Sequence, residues 1–232
     1  MASLPLSHLQ ICISALMNLD SRGLHRTLTR ASIDLTTIAL VEKIVIPLIQ
    51  KIGELWFEGG LRVANEHMAS SVIRSFLGEI LLSSEPPRNA PAVVITTPKG
   101  QFHELGALVL AVITPSVGWK PFYLGPNLPA QEIAAAVAQS HAQVVALSIV
   151  YPRDDPHLVQ ELRKLRRYLD ESVMIIAGGR AAEAYSEVLK EIGANQLSDI
   201  PKFRKKLQAL RLHHLAELVI NDSVTNSNGG DD

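Results

Sequence analysis

The feature that most constrains the fold is a strict alternation of short β-branched runs with longer amphipathic segments in the second half of the chain. The strand-like runs lie at residues 92–97, 120–124, 144–150, 173–177 and, as a short fifth run, 196–197. Helical periodicity occupies residues 104–117, 130–140, 154–169, 181–192 and 200–215. Strict alternation of strand and helix predicts a doubly wound parallel sheet with right-handed crossovers.

The first half of the chain shows helical periodicity only. Apolar residues recur at helical spacing over residues 6–19, 25–35, 37–57 and 61–82, and Pro47 is expected to kink or split the third segment. We therefore predict an α/β protein with an N-terminal four-helix bundle at 5–83, followed by a flavodoxin-like or Rossmann-like sheet of five strands at 92–216. Residues 84–91 break every periodicity and are interpreted as a linker. Residues 217–232, rich in Asn, Ser, Gly and Asp, are expected to be disordered.

Composition excludes several classes of function. The chain is 47% hydrophobic with a formal net charge of −1, so it lacks the excess of Lys and Arg that direct DNA binding needs. The single cysteine, Cys12, rules out an internal disulfide and a multi-cysteine zinc site. The amino terminus does not resemble a signal peptide, and no apolar window is long enough to cross a bilayer. A cytoplasmic location without membrane association is expected.

Three short motifs follow three of the predicted strands. His103 and Gly106 form His-x-x-Gly after the first strand, and Ser148-x-Val150 follows about forty residues later. Gly178-Gly179 comes a little under thirty residues after that. Ligands of open parallel sheets bind beyond the carboxyl ends of the strands, where all three motifs are predicted to lie. An imidazole there can bind a metal or transfer protons.

The order and spacing of these motifs resemble the base-off cobalamin-binding signature. That signature is shared by methionine synthase, the cobalamin-dependent mutases, the corrinoid proteins of methyltransferases and the cobalamin photoreceptors. The resemblance implies that His103 is the lower axial ligand of cobalt. It also implies that the cofactor's displaced tail lies along Gly106, Ser148, Val150, Gly178 and Gly179.

One position in this motif departs from the family pattern. Those families place an acidic partner of the histidine two positions before it, and here that position is Gln101. An amide oxygen can accept a hydrogen bond from an imidazole but adds no charge. We expect a somewhat weaker bond from His103 to cobalt, or one that is tuned by other groups.

The predicted bundle contains a second motif, in which Trp56 is followed after nine residues by Glu66-His67. On two helices before a cobalamin domain, this motif resembles the MerR-type light-responsive regulators of carotenoid genes. The resemblance implies that the bundle covers the upper corrin face, with Trp56 on the adenosyl group and Glu66-His67 beside it. Where those regulators have a histidine that binds cobalt after photolysis, this chain has Phe57. Either no bis-histidine light state forms, or another histidine, of which His67 is nearest, supplies the ligand.

Three interpretations of the function remain. The first is a cobalamin sensor, expected to be a photoreceptor, that binds adenosylcobalamin and acts through a separate transcription regulator or other protein partner, without direct DNA binding. The second is a corrinoid carrier subunit of a methyltransferase system, which would bind methylcobalamin. The third is a protein of this fold without a corrinoid. The sequence also leaves hydroxocobalamin and a homo-oligomeric state open.

Overall fold

The N-terminal region is helical in the computed structural model, which describes residues 4–212. Its elements are α1 (Leu4–Met17), α2 (Ser21–Asp34), α3 (Thr37–Leu40), a π-helical turn (Val41–Val45), α4 (Ile46–Phe57) and α5 (Val63–Ser83). The prediction that residues 217–232 are disordered concerns residues outside the described range. Each helix turns apolar side chains inward, among them Leu24 and Leu28 of α2 and Ile73 and Leu77 of α5.

Helix α2 begins earlier than the sequence predicts. The second helical segment is predicted at residues 25–35, yet α2 already begins at Ser21. The Asp20 carboxylate accepts a hydrogen bond from the Gly23 backbone N–H at 2.8 Å and so caps the new helix. Asp, Ser and Gly favour both the end of one helix and the beginning of the next, which is why the pattern was ambiguous.

Pro47 divides the long third segment, as predicted. The backbone passes through a π-helical turn at Val41–Val45 before α4 begins at Ile46, with the proline in the first turn. Proline has no N–H and clashes with the preceding turn, so a local change of hydrogen-bond register relieves both problems. The segment therefore contributes α3 and α4 as two connected pieces to the bundle.

The second region contains a five-stranded sheet whose paired strands are all parallel. Its strands are β1 (Ala92–Thr96), β2 (Lys120–Tyr123), β3 (Val144–Ser148), β4 (Met174–Gly178) and β5 (Asn195–Gln196). The helices are α6 (Leu105–Ile113), α7 (Ala130–Ser140), α8 (Pro156–Tyr168), α9 (Ser186–Glu191) and α10, which occupies 200–212 at the end of the described range. The strand order β2-β1-β3-β4-β5 confirms the predicted flavodoxin-like, doubly wound fold.

The helices cover the two faces of the sheet unequally. One hydrophobic cluster joins the sheet to α7, α8 and α9. The other joins the opposite face to α6 and α10 and continues without interruption into the bundle. Helix α6 lies between α5 and the strands, and six of its nine residues are buried. A helix that is apolar on all sides is expected where it is packed on all sides.

Charged side chains also lie where the bundle meets the sheet region. Arg204 of α10 donates to Glu42 in the π-helical turn at 3.1 Å. The Arg180 guanidinium, in the loop after β4, lies 3.3 Å from where a Cβ on Gly53 of α4 would be. The bundle therefore contacts the sheet region through a shared core and at its polar margins. Within residues 4–212, no helix combines the length and apolarity that crossing a membrane requires.

Candidate functional site

The three sequence motifs of the sheet region meet where the strands have their carboxyl ends, and this side of the sheet is called the carboxyl edge. The connections after β1 and β3 leave on opposite faces of the sheet, so these neighbouring strands form the switch point where such folds bind ligands. His103 follows β1, and Ser148 is the last residue of β3. The His103 ring is exposed, and its centroid lies 6.0 Å from that of Tyr151 in an edge-to-face arrangement. The edge thus presents an accessible imidazole supported by an aromatic ring.

Gln101 has a different role from the one considered above. Its side chain is 1% exposed, and its Oε1 accepts hydrogen bonds from the backbone N–H groups of Val150 at 2.8 Å and Tyr151 at 3.0 Å. An amide oxygen has two lone pairs, and these contacts use both. The oxygen therefore ties the β3 loop to the His103 loop instead of serving as the partner of the imidazole.

A second set of contacts fixes the β1 loop to the β2 loop. The Thr96 hydroxyl donates to the Gly125 carbonyl oxygen at 2.7 Å, and the Asn127 N–H donates to the Thr97 hydroxyl at 2.8 Å. The Asn127 side chain in turn accepts from the Gly100 N–H at 2.8 Å. The turn before His103 is thus held from both neighbouring strands, which limits the movement of the imidazole.

Three glycines of the motifs stand where a side chain would not fit unless neighbouring atoms moved. A Cβ on Gly106 would lie 2.7 Å from the Ser148 Oγ, so the first two motifs are in direct contact. A Cβ on Gly178 would lie 2.7 Å from the Leu197 carbonyl oxygen. Gly179 has a φ of +105°, and its Cβ would lie 2.3 Å from the Ile149 carbonyl oxygen. Close packing against backbone atoms therefore favours glycine at positions 178 and 179, whereas a side chain at position 106 would only require the Ser148 hydroxyl to move.

The bundle places the second motif at the end of α4 and the beginning of α5. Trp56 is 55% exposed and Phe57 is 87% exposed, although both are large apolar residues. Glu66 accepts a hydrogen bond from the Ser70 hydroxyl at 2.7 Å, and its other oxygen lies 3.5 Å from Nδ1 of the exposed His67. Exposed aromatic side chains at such a position mark a surface that a ligand or partner covers.

Spacing alone did not reveal one part of the site. Glu104, directly after His103, forms an ion pair with Arg74 of α5 and accepts a hydrogen bond from the Tyr123 hydroxyl at 2.5 Å. Burial, together with this neighbouring carboxylate, raises the pKa of Tyr123 above its usual range. The sequence shows only that a charged residue follows the motif histidine. It does not indicate that this residue pairs with Arg74 on the bundle.

Comparison with known families identifies the ligand class. Residues 91–196 match the family model described as B12 binding domain, and residues 10–80 match a second model of the same description. The chain belongs to the B12 binding domain family. The matched ranges of this family contain the bundle motif and all three edge motifs, and they support cobalamin binding by the chain.

The curated relatives that the chain matches include two regulators from Myxococcus xanthus. The HTH-type transcriptional repressor CarH is 29% identical over 66% of this chain and 51% of its own length. The HTH-type transcriptional repressor CarA is 28% identical over 76% of this chain and 59% of its own length. The chain thus spans between half and three-fifths of these relatives. A corrinoid protein from Desulfitobacterium hafniense is 20% identical over 70% of this chain and 77% of its own length.

A solved structure with a similar fold is that of the monomethylamine corrinoid protein of Methanosarcina barkeri. It superposes with a TM-score of 0.69 over 90% of this chain and 98% of its own, at 14% identity. This likeness confirms the arrangement of a helical bundle followed by a parallel sheet.

The residues at the carboxyl edge fit the B12 cofactor. The exposed His103 imidazole would be a suitable nitrogen donor to the cobalt of this cofactor. No group of three or more His, Cys, Asp or Glu side chains suited to a metal occurs among residues 4–212. The macrocycle also needs apolar cover, and Phe102 and Tyr151 on the sheet edge are exposed together with Trp56 and Phe57 on the bundle.

Proposed function

We propose that this chain is a cobalamin-dependent light sensor that binds adenosylcobalamin and regulates transcription through a protein partner. The observation that carries the proposal is that the chain has both an accessible imidazole at the switch point and exposed aromatic side chains on the bundle. The similarity to two transcriptional repressors over both regions supports a regulatory output. Bound adenosylcobalamin would supply a weak alkyl–cobalt bond that absorbs visible light.

In this proposal His103 binds the cobalt from the sheet side. Gln101 and Tyr151 keep its loop in place, the first through hydrogen bonds to the β3 loop and the second through its ring contact with His103. Ser148, Val150, Gly178 and Gly179 line the path proposed for the cofactor's tail.

The bundle covers the other face in this proposal. Trp56 offers an indole plane on which the adenosyl group packs, and Glu66 offers a carboxylate to its ribose hydroxyls. Since Ser70 already fixes one oxygen of Glu66, the carboxylate is oriented before the ligand binds. A ligand that contacts both regions stabilises one arrangement of the two. Loss of its contacts with the bundle would then shift the equilibrium to another arrangement.

The alternative is a methyl carrier subunit, which the similarity to a corrinoid protein favours. A carrier must leave its upper face open to two enzymes, whereas Trp56, Glu66 and His67 are suited to a larger upper ligand. The two functions therefore predict opposite preferences between adenosylcobalamin and methylcobalamin.

The deciding experiment is purification with each cobalamin in darkness, with visible spectra and size-exclusion profiles recorded before and after illumination. Retention of adenosylcobalamin, with light changing both spectrum and elution, supports the sensor. Preferential retention of methylcobalamin supports the carrier, and a colourless protein after every form refutes cobalamin binding.

Two variants test the proposed upper face. Trp56→Ala should weaken the retention of adenosylcobalamin but not of hydroxocobalamin, because only the former has a group for the indole to cover. Phe57→His should add an imidazole that can bind cobalt after photolysis, so its light-state spectrum should differ from that of the unaltered protein. Unchanged retention in the first variant would refute the assignment of the bundle as the cap.

A further inference from the structure

The contact between Arg74 and Glu104 joins the bundle to the residue beside His103. The Glu104 side chain is 12% exposed, and its carboxylate receives the Arg74 guanidinium on one oxygen and the Tyr123 hydroxyl on the other. A largely buried carboxylate depends strongly on such partners, because water cannot replace them fully. Glu104 is therefore held between a bundle helix and strand β2.

The position of Glu104 in the chain transmits this restraint to the imidazole. It directly follows His103 and is the N-cap residue of α6, so its backbone sets the direction in which the His103 loop enters the helix. On α5, Arg74 lies two turns beyond Glu66, and Ser70 between them bonds to Glu66. Residues four apart are neighbours on a helix surface, so one side of α5 extends from the proposed cap to the ion pair.

The contacts of the loop itself hold its backbone but bring no charged group to the imidazole. Gln101, at the position where the resembling families have an acidic partner, uses its oxygen for the Val150 and Tyr151 N–H groups. Ring contact with the exposed Tyr151 gives orientation but no charge. The fixed carboxylate nearest to His103 in sequence is that of Glu104, which α5 controls through Arg74.

We propose that Arg74 and Glu104 are positioning residues for His103, so that helix α5 sets how well the imidazole reaches cobalt. This inference rests on the proposed function. The ion pair makes the cap and the lower ligand parts of one connected unit, and a displacement of α5 by the upper ligand would change the coordination beneath it. The shared core and the Arg204–Glu42 contact keep the bundle attached, so loss of the ion pair acts locally.

The test compares Arg74→Gln and Glu104→Gln with a matched control, Arg163→Gln. Arg163 of α8 forms an exposed ion pair with Glu191 at 2.7 Å, so the control removes the same chemical group from a pair that involves neither the bundle nor the His103 loop. The first measurement is the electron paramagnetic resonance spectrum of bound cobalamin in its cobalt(II) form. Superhyperfine splitting from nitrogen in this spectrum reports the fraction of cobalt that is bound to histidine. The second is hydrogen exchange of residues 97–105 in the ligand-free protein.

Both site variants should lower the His-bound fraction, raise the Kd for cobalamin about tenfold and speed exchange in the His103 loop, as for other residues that orient a ligand. The control should change none of these. High salt should lower the His-bound fraction of the unaltered protein but not of Arg74→Gln, because the Arg74 side chain is half-exposed and salt screens its charge.

The outcomes separate this inference from the proposed function. Nitrogen splitting that is present in the unaltered protein, lost in His103→Ala and unchanged in Arg74→Gln and Glu104→Gln would overturn the positioning role alone. Absence of nitrogen splitting in the unaltered protein would overturn both. A swapped pair, Arg74→Glu with Glu104→Arg, should recover part of the His-bound fraction, which a general loss of folding would not allow.

Discussion

Replacement of Gln101 by Met tests how the loops of the carboxyl edge are held. Methionine keeps the volume of the side chain but has no acceptor for the N–H groups of Val150 and Tyr151, now bonded at 2.8 and 3.0 Å. A buried donor left without an acceptor costs about 1–3 kcal/mol. Val150 is only half-buried and Tyr151 is exposed, so water can reach part of this backbone. We therefore expect each unpaired N–H group to cost an amount in the lower part of this range. Together the two should lower the free energy of unfolding by about 2–3 kcal/mol.

Thermal and urea unfolding of the ligand-free protein measure this loss. For a chain of this size the melting temperature should fall by about 5–10 °C. Gln131→Met is the matched control, since Gln131 is exposed on α7 and its change should stay within about 0.5 kcal/mol. Gln101→Glu keeps both acceptor positions and should preserve the loop contacts better than Met. If Gln101→Met also changes the free energy of unfolding by no more than about 0.5 kcal/mol, the amide does not hold the loops together.

Three further changes have expected outcomes. Gly179→Ala should destabilise the fold by about 3 kcal/mol or more, because the new Cβ would lie 2.3 Å from a carbonyl oxygen. Gly193 also has a positive φ but has open space around it, so Gly193→Ala should cost only about 1 kcal/mol. Equal losses of stability in urea unfolding would contradict this expectation. Burial and a neighbouring carboxylate raise the pKa of Tyr123 above its ordinary value of 10.0. The contribution of the neutral phenol to the stability of the folded state is therefore present below pH 10 and lost as the pH rises further. The stability difference between the unaltered protein and Tyr123→Phe should therefore narrow above pH 10, and a constant difference would refute the shift. Burial raises the pKa of Cys12 to about 12, so a thiol reagent at pH 8 should modify it only after unfolding.

The fold was predictable because its signals are local and repeated. Each β-branched run before an amphipathic segment marks one strand and one crossover, and the sheet order then follows a common rule. Element boundaries were less exact: β4 ends at Gly178 rather than residue 177, and α6 gives way at Thr114 to a 3-10 turn that contains Pro115. The proline cannot donate to continue the helix, which the apolar pattern alone did not indicate.

The candidate site was predictable only in part. His103, Ser148 and the two adjacent glycines stand at strand ends, so topology brings them together. The contact of Arg74 with Glu104 joins residues on different regions, and no period in the sequence reports such a pair. The orientation of the Gln101 amide likewise depends on where the β3 loop passes, which only the folded backbone determines.

The burial of most of α6 between α5 and the strands has a consequence for how the protein can be divided. A fragment cut at the Pro86-Pro87 segment would keep every strand, yet it would leave the α5-facing side of α6 bare to water. Such a fragment should self-associate when produced alone, although it would contain the whole range matched at 91–196. The boundary drawn by sequence families therefore runs through the interior of one folding unit.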